Sequence, residues 1–444
     1  MGDDRHLDDT DVEDLLTWRI AAACSRRIVG HLLSGCGECR RRLREKLRQT
    51  RDAPADEALY DRALIAAIVE SGAAFRGEQA DRRAGAALWA GLREMPAGRR
   101  ATLVLNSRRY RTGGVLEAIC RDYREASWRE PRAGLALAEL AVALAGCLDP
   151  AGRSAERLAD LRGEALAIAA NAHRLVARPR EADRLLRRAA ATLRRGSGDL
   201  LLQGLLLSYA GSLWQTCRRF RRAAVAFGRA EQVYRSIGER HLAAQSLVAR
   251  AGASGHVHPG RGVRLILRAI PEIDAGRDPH LELAAHHGLA WFLNDAGQGQ
   301  AARAEVERSA ALYQRSGDAV ASLSRAWLEG RIDRSLDQLD GARRSYERAW
   351  MGFAELGMQI HLTMVAIDRA ELKVATGEHA GAAALLGETM LLMRSWGIGH
   401  ETRRVLRLLH AAVAAGRGGR TVFRQASLGV RRCWAPAAEE RSLS

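Results

Sequence analysis

The chain has 444 residues, of which 47% are hydrophobic and only 5% aromatic, with 9 prolines and a formal charge of +17. Ala and Leu must therefore build the core, and the scarcity of β-branched runs excludes a β-sandwich, while the apolar content excludes a disordered chain. The only lysines are Lys46 and Lys373, neither preceded by glycine, so the phosphate-binding loop GxxxxGK[ST] is absent.

The first fourteen residues contain seven acidic ones and no basic stretch leading into an apolar run, which argues against a secretory signal. The longest apolar run, near Ala136 to Leu148, is shorter than the roughly 18–20 residues that span a bilayer. Seven cysteines in a chain of this length do not make a disulfide framework. The expectation is a cytoplasmic protein with no membrane partner.

Residues 1–50 hold the most chemical segment, His31-Leu32-Leu33-Ser34-Gly35-Cys36-Gly37-Glu38-Cys39. The CxxC spacing of Cys36 and Cys39 lets two thiolates meet one ion, and His31 stands at a predicted helix end about one turn earlier. This string resembles the zinc-finger domain of bacterial anti-sigma factors, in which a helix-end His precedes CxxC and a fourth ligand lies upstream. Here four residues separate His31 from Cys36, one more than is usual in that family. The resemblance points to His6, twenty-five residues upstream of His31, as the fourth ligand. Cys24, seven residues before His31 and so on the same face of an unbroken helix, is the alternative, with His6 preferred. Such a closed site would be structural zinc, replacing a core that fifty residues can hardly build. A redox-sensing role would instead need an exposed thiolate, helped by Arg40 to Arg42.

Residues 51–112 carry helical patterning at Ala58 to Ser71 and at Arg82 to Arg93 without a repeat match, and read as a helical spacer. Two more helices are expected near Gly114 to Ser127 and Arg132 to Leu148, as a degenerate pair that opens a repeat region over residues 113–415.

The repeat is carried by two registers. Glycines suited to end a helix recur at Gly198, Gly238, Gly276, Gly317, Gly357 and Gly397, at intervals of 40, 38, 41, 40 and 40. Ahead of them stand the large residues Tyr234, Ile273, Tyr313, Phe353 and Met393. The second register is a small-large-small triplet on one helical face. It reads Ala182-Leu186-Ala189, Ala223-Phe227-Ala230, Val263-Leu267-Ile270, Ala302-Val306-Ser309, Ala342-Tyr346-Ala349 and Ala382-Leu386-Thr389. Twelve residues before each triplet stands Ala170, Gly211, Ala251, Ala290, Gly330 or Ala370.

Each unit thus holds two amphipathic helices, with the small residue of the first admitting the large residue of the second. This arrangement resembles the tetratricopeptide repeat, which has a small residue in its first helix and a small-aromatic-small triplet in its second. The matches are best at Gly211 with Ala223, Phe227 and Ala230, and at Gly330 with Ala342, Tyr346 and Ala349. The departures are a period near forty instead of about 34, and no consistent early tryptophan or closing proline. The resemblance covers Ser154 to Gly397, with Glu401 to Ala415 as a capping helix, and implies an all-α, right-handed solenoid with a concave partner-binding groove. Residues 416–444 carry no period and read as a tail.

No GxSxG elbow, HExxH string or EF-hand loop occurs, so a non-enzymatic protein is expected. Gly260-Arg261-Gly262 lacks the third glycine and preceding strand of a dinucleotide site, and reads as a hairpin turn. His256, His258, His280, His286 and His287 read as surface or groove histidines, and Trp214, Trp291 and Trp327 as core residues of first helices. Basic runs such as Arg40-Arg41-Arg42-Leu43-Arg44 and Arg218-Arg219-Phe220-Arg221-Arg222 are dispersed among acidic residues, so the positive charge is expected to spread over many helix faces. The function expected is a regulatory scaffold with an acidic protein partner; the anti-sigma resemblance implies a sigma factor or another transcription or signalling component. The alternative is nucleic-acid binding through the basic N-terminal finger and Arg40 to Arg48.

Overall fold

The computed structural model describes residues 6, 8–10, 36–49, 77–127, 130–149, 154–395 and 399–433, and every regular element among them is helical. The chain divides into two compact units, Met1–Ala169 and Ala170–Ser444, with the division inside one helix. Among the described residues no helix is long and apolar enough to cross a membrane.

The first unit contains α1 (Gly37–Gln49), α2 (residues 77–93), α3 (Ala97–Asn106), α4 (Gly113–Ala126), α5 (Pro131–Gly146) and the beginning of α6 (Ala155–Leu175). The expected helices near Arg82 to Arg93, Gly114 to Ser127 and Arg132 to Leu148 fall on α2, α4 and α5, whereas Ala58 to Ser71 lies outside the described residues. Thr112 caps α4 by accepting from the Val115 N–H at 3.2 Å, and Pro131 opens α5. The buried side chains Trp89, Leu92, Val104, Ile119, Tyr123, Leu144 and Leu161 form the core. The Trp89 indole N–H donates to Asp122 at 2.7 Å, so the largest core residue still satisfies its polar edge. Helices α2 and α4 touch at backbone distance, where a Cβ on Gly85 or Gly114 would run into the other helix.

The second unit takes the end of α6 and then alternates first and second helices. The first helices are α8 (Leu200–Thr216), α10 (Arg240–Ser254), α12 (Pro279–Asp295), α15 (Ala319–Ser335), α17 (Gln359–Ala375) and α19 (His400–Ala414). The second helices are α7 (Pro179–Leu193), α9 (Phe220–Ser236), α11 (Pro259–Ala269), the pair α13 (Gly299–Arg308) and α14 (Ala310–Ser316), α16 (Leu339–Glu355), α18 (His379–Ser395) and α20 (Arg420–Cys433). Successive helices from α7 onward pack on one another, which buries one continuous core from α10 to α20. This is the all-α stack of helical hairpins that the repeat implies.

The small residues of the first helices, Ala170, Gly211, Ala251, Ala290, Gly330 and Ala370, are all buried. A Cβ on Gly211 would lie 2.7 Å from the Phe227 ring, and one on Gly330 would lie 2.6 Å from that of Tyr346. Five of the triplets are buried as expected. The third is shifted by one residue: Leu267 is 54% exposed, while Gly262, Ile266 and Ala269 face the core. Phe292 of the next first helix fills the space over Gly262, and this fixes the rotation of α11. Gly260-Arg261-Gly262 accordingly belongs to the first turn of α11 and not to the hairpin turn expected there.

Gly198, Gly238, Gly317 and Gly357 adopt the left-handed conformation, with φ of 80°, 76°, 60° and 64°. Gly276 does not, because a 3-10 turn at Ile270–Glu272 ends that hairpin and the Asp274 carboxylate takes the Gly276 N–H. Gly397 lies outside the described residues. A second left-handed series lies within the hairpins, at Ala177, Arg218, Gly297, Asp337, Gly377 and Gly416; the sequence marks polar turns at Gly297-Gln298-Gly299 and Gly377-Glu378, whereas Ala177, Arg218 and Asp337 carry no glycine to announce them. Residues after Gly416, which carry no period, include α20, whose packing on α17 and α19 holds it in place.

Candidate functional sites

In the first unit, the described part of the N-terminal segment brings three of the expected ligands together. Cys36 precedes α1, Cys39 lies in its first turn, and His6 Nδ1 stands 3.4 Å from Cys36 Sγ and 3.7 Å from Cys39 Sγ. The ligand atoms all lie within 4.8 Å of one another, a set that can hold a metal ion. Cys39 is fully buried and Cys36 half-buried. His31 and Cys24 lie outside the described residues. On α1, Glu38 accepts from Arg41 at 2.8 Å and from Arg42 at 3.0 Å, and Arg41 also reaches Glu45 at 3.1 Å. Among the described residues, Cys120, Cys147, Cys217 and Cys433 form no comparable cluster, and burial pushes the Cys120 thiol up.

In the second unit, chemistry gathers where the first helices α12, α15 and α17 face α20. The spacing is one residue per repeat: Asp295 ends α12, Arg331 lies on α15 and Asp368 on α17. Arg331 donates to Asp368 at 2.9 and 3.0 Å and to Asp295 at 2.8 Å, and the Trp327 indole N–H donates to Asp368 at 2.7 Å. Burial lowers the Arg331 pKa, but Asp368 and Asp295 outweigh it and hold the guanidinium above its ordinary value.

Trp291 is the centre of this strip. Its ring meets Trp327 edge-on at 4.9 Å, and the guanidiniums of Arg331 and Arg431 lie 4.8 and 5.4 Å from it. Arg431 comes from α20 and also contacts His256 Nε2 at 3.5 Å, across 175 residues of sequence. It makes no ion pair with a carboxylate among the described residues; burial, with Arg331 beside it, pushes its pKa down to about 10. The indole N–H of Trp291 and Nδ1 of His361 are buried without a hydrogen-bond partner. His256, held low by burial and by Arg431 and Arg331, stays neutral, as does His361.

Of the histidine group, His286 and His287 do point apart. His286 meets Glu305 at 2.5 Å, while His287 meets the Tyr313 hydroxyl at 2.8 Å and is pushed by burial to about 4. His256 faces the pocket under α20, and no metal-like set involves any of them among the described residues. Trp291 and Trp327 are buried, as core residues would be, yet each also lines a pocket at α20. Sequence reading missed Asp295, Arg331 and Asp368, whose spacings of 36 and 37 residues fall about one helical turn short of the period near forty. Arg431 carries no such signal.

The basic run Arg218 to Arg222 also departs from expectation. It lines a cleft of about 770 Å³ together with Arg250, Arg261 and Arg432, so positive charge is gathered there and not spread.

No family model and no curated protein matches the sequence. Among solved structures, a Rap protein complexed with competence and sporulation factor matches with a TM-score of 0.57 and 12% identity, over 72% of this chain and 88% of that one. Aspartyl phosphate phosphatase F from Bacillus subtilis matches over 96% of this chain and 97% of that one, also at 12% identity, with a TM-score of 0.43. The likeness to the Rap protein is one of fold: both chains are built from the same stack of helical hairpins.

Proposed function

We propose that this chain is a non-enzymatic regulatory scaffold that captures an acidic protein segment along the first helices of its second unit. The observation that carries the reading is the pocket between α20 and the Trp291 strip. Five arginines, Arg331, Arg334, Arg420, Arg424 and Arg431, face three carboxylates there, Asp295, Asp368 and Glu371. Two of these arginines already consume the carboxylates, Arg331 on Asp295 and Asp368 and Arg334 on Glu371, so the α20 arginines and the Trp291 N–H remain to receive an anionic side chain. The strip also receives one amphipathic helix, α20, which is the helix-in-groove mode of recognition. The complex of the Rap protein with competence and sporulation factor supports ligand binding on a fold of this kind.

The N-terminal module, in this reading, is closed by one structural zinc ion on His6, His31, Cys36 and Cys39, and its anti-sigma resemblance points to a sigma factor or another transcription component as partner. Convergence of His6 on both thiols supports it, and burial of Cys39 favours a structural over a sensing role. Nucleic-acid binding through this module is less well supported, because Glu38 and Glu45 already engage Arg41 and Arg42.

Crosslinked pull-down of the full chain from cells that express it tests the scaffold. Recovery of one protein partner by wild type, lost in Arg424→Glu, is expected; no partner, or equal recovery by the variant, counts against the groove. Elemental analysis of untagged protein tests the metal. One zinc per chain is expected in wild type and none in Cys36→Ser with Cys39→Ser; a zinc-free wild type purified without oxygen removes the finger.

A further inference from the structure

We propose that the arginine-lined cleft at the edge of the second unit, between the turn that joins α8 to α9 and the turn that joins α10 to α11, binds a polyphosphate anion. The site is separate from the groove reading and does not depend on it.

Among the described residues, seven arginines line the cleft and no carboxylate does. Arg219, Arg221, Arg222, Arg261 and Arg432 make no ion pair among the described residues, while Arg250 reaches Glu231 at 3.3 Å. That is not the habit of this unit. From α13 to α17 most arginines are matched, as Arg303 is with Asp333, Arg308 with Glu305, Arg331 with Asp368 and Arg369 with Glu347. Unmatched charge is thus concentrated at one place.

The backbone adds to that charge. Helix α9 starts at Phe220 with Arg221 and Arg222 in its first turn, and α11 starts at Pro259 with Arg261 in its first turn. Neither first turn has an acidic residue, and neither helix has a side-chain cap. A helix N-terminus favours negative charge, so guanidiniums at two such ends repel both the ends and each other. The arrangement raises the energy of the empty fold and is relieved by a dense anion.

The chemistry selects phosphate. Guanidinium forks match phosphate oxygens in pairs, and a triphosphate places three or more charges within one cleft, where a single carboxylate would leave most of the arginines unanswered. A volume of about 770 Å³ suits a ligand of nucleotide size, and Phe220 with the exposed Val225 and Val257 provides an apolar wall. The guanidiniums converge on one cleft, and among the described residues Phe220 and His258 are the rings that line it, whereas a single strand wants a basic track with successive stacking rings.

Titration calorimetry of the full chain with inorganic tripolyphosphate in about 0.1 M salt tests the proposal, with ATP as a second probe. Saturable one-site binding that weakens as salt rises is expected. Arg222→Ala with Arg261→Ala should lose at least about tenfold in affinity, the loss of two charge-assisted contacts. Arg343→Ala with Arg348→Ala, equally exposed but distant in sequence and paired with Glu378 and Glu329, should stay within about twofold. All four side chains are exposed, so circular dichroism should be unchanged in both variants. Equal binding of ATP and tripolyphosphate, or tighter binding of ATP, both support the site, the latter adding contact from the nucleoside. Absence of saturable binding, equal loss in both variants, or binding of a single-stranded oligonucleotide that tripolyphosphate does not displace would overturn it.

Discussion

Arg331 and Arg222 belong to the same compact unit but to different hairpins, one held by three hydrogen bonds to carboxylates and the other without an ion pair among the described residues. The difference follows from position within the hairpin. Arg331 lies on a first helix, where Asp295 and Asp368 come from the first helices of the neighbouring hairpins to either side of it. Arg222 lies at the start of a second helix, beside a turn, where the period brings further arginines. A repeat therefore multiplies whatever its register aligns: matched charge inside, like charge at the edge. The interior gains stability from its charges, and the edge forgoes it.

The sharpest way to break this contrast is Arg331→Ala. It leaves Asp295 and the almost fully buried Asp368 facing each other without their cation, and should cost about 3–5 kcal/mol in urea unfolding. An unchanged midpoint would mean that the interior charges are not coupled.

A second test uses pH. His287 has a folded pKa of about 4, below its unfolded value of about 6.5, so the fold favours the neutral ring. As pH falls from 7 towards 4, the unfolded chain takes up the proton first, and stability falls by up to about 3 kcal/mol; above pH 7 the contribution is constant. Unfolding midpoints of His287→Gln across that window should fall less steeply than those of wild type, and parallel curves would exclude His287 as the source.

Glycine gives a smaller test of the same contrast. Gly330→Ala drives a methyl group against the immobile, fully buried Tyr346 ring and should cost about 1–3 kcal/mol, while Gly260→Ala meets nothing closer than 3.9 Å and should be nearly neutral. Smallest of all, Arg222→Ala with Arg261→Ala should change folding stability by no more than about 0.5 kcal/mol, and a large loss would show that the cleft arginines hold the fold after all.

The stack of hairpins was legible because packing acts through residue size. Gly211 with Phe227 and Gly330 with Tyr346 are complementary shapes, and their spacing repeats. The third copy misled because Gly-Val and Ile-Leu stand side by side in α11, so two adjacent faces look equally apolar; only Phe292, in the next unit, selects Gly262 and Ile266. The metal cluster was legible in part, since CxxC carries its geometry in its spacing, whereas the approach of His6 to the thiols depends on the path of the chain between them. The Trp291 strip was read as core, because its partners come from three other helices and one of them, Arg431, from a segment without any period. Arg218 to Arg222 looked diluted by nearby acids in the sequence, but among the described residues none of those acids lines the cleft, and Glu231 reaches only Arg250 of its arginines.

Helix α20 has a thermodynamic consequence for anything that seeks Trp291. It is joined to α19 by only the five residues from Ala415 to Gly419, so it meets the strip at an effective concentration set by that tether, in the millimolar range for a short link. The chain thus supplies one wall of the Trp291 pocket through a tethered helix. A ligand that needs the α20 arginines would bind only molecules in which α20 is docked, and its apparent dissociation constant would be the intrinsic one divided by that docked fraction. Lengthening the link over residues 415–419, which leaves every lining residue in place, is then a means of tuning affinity.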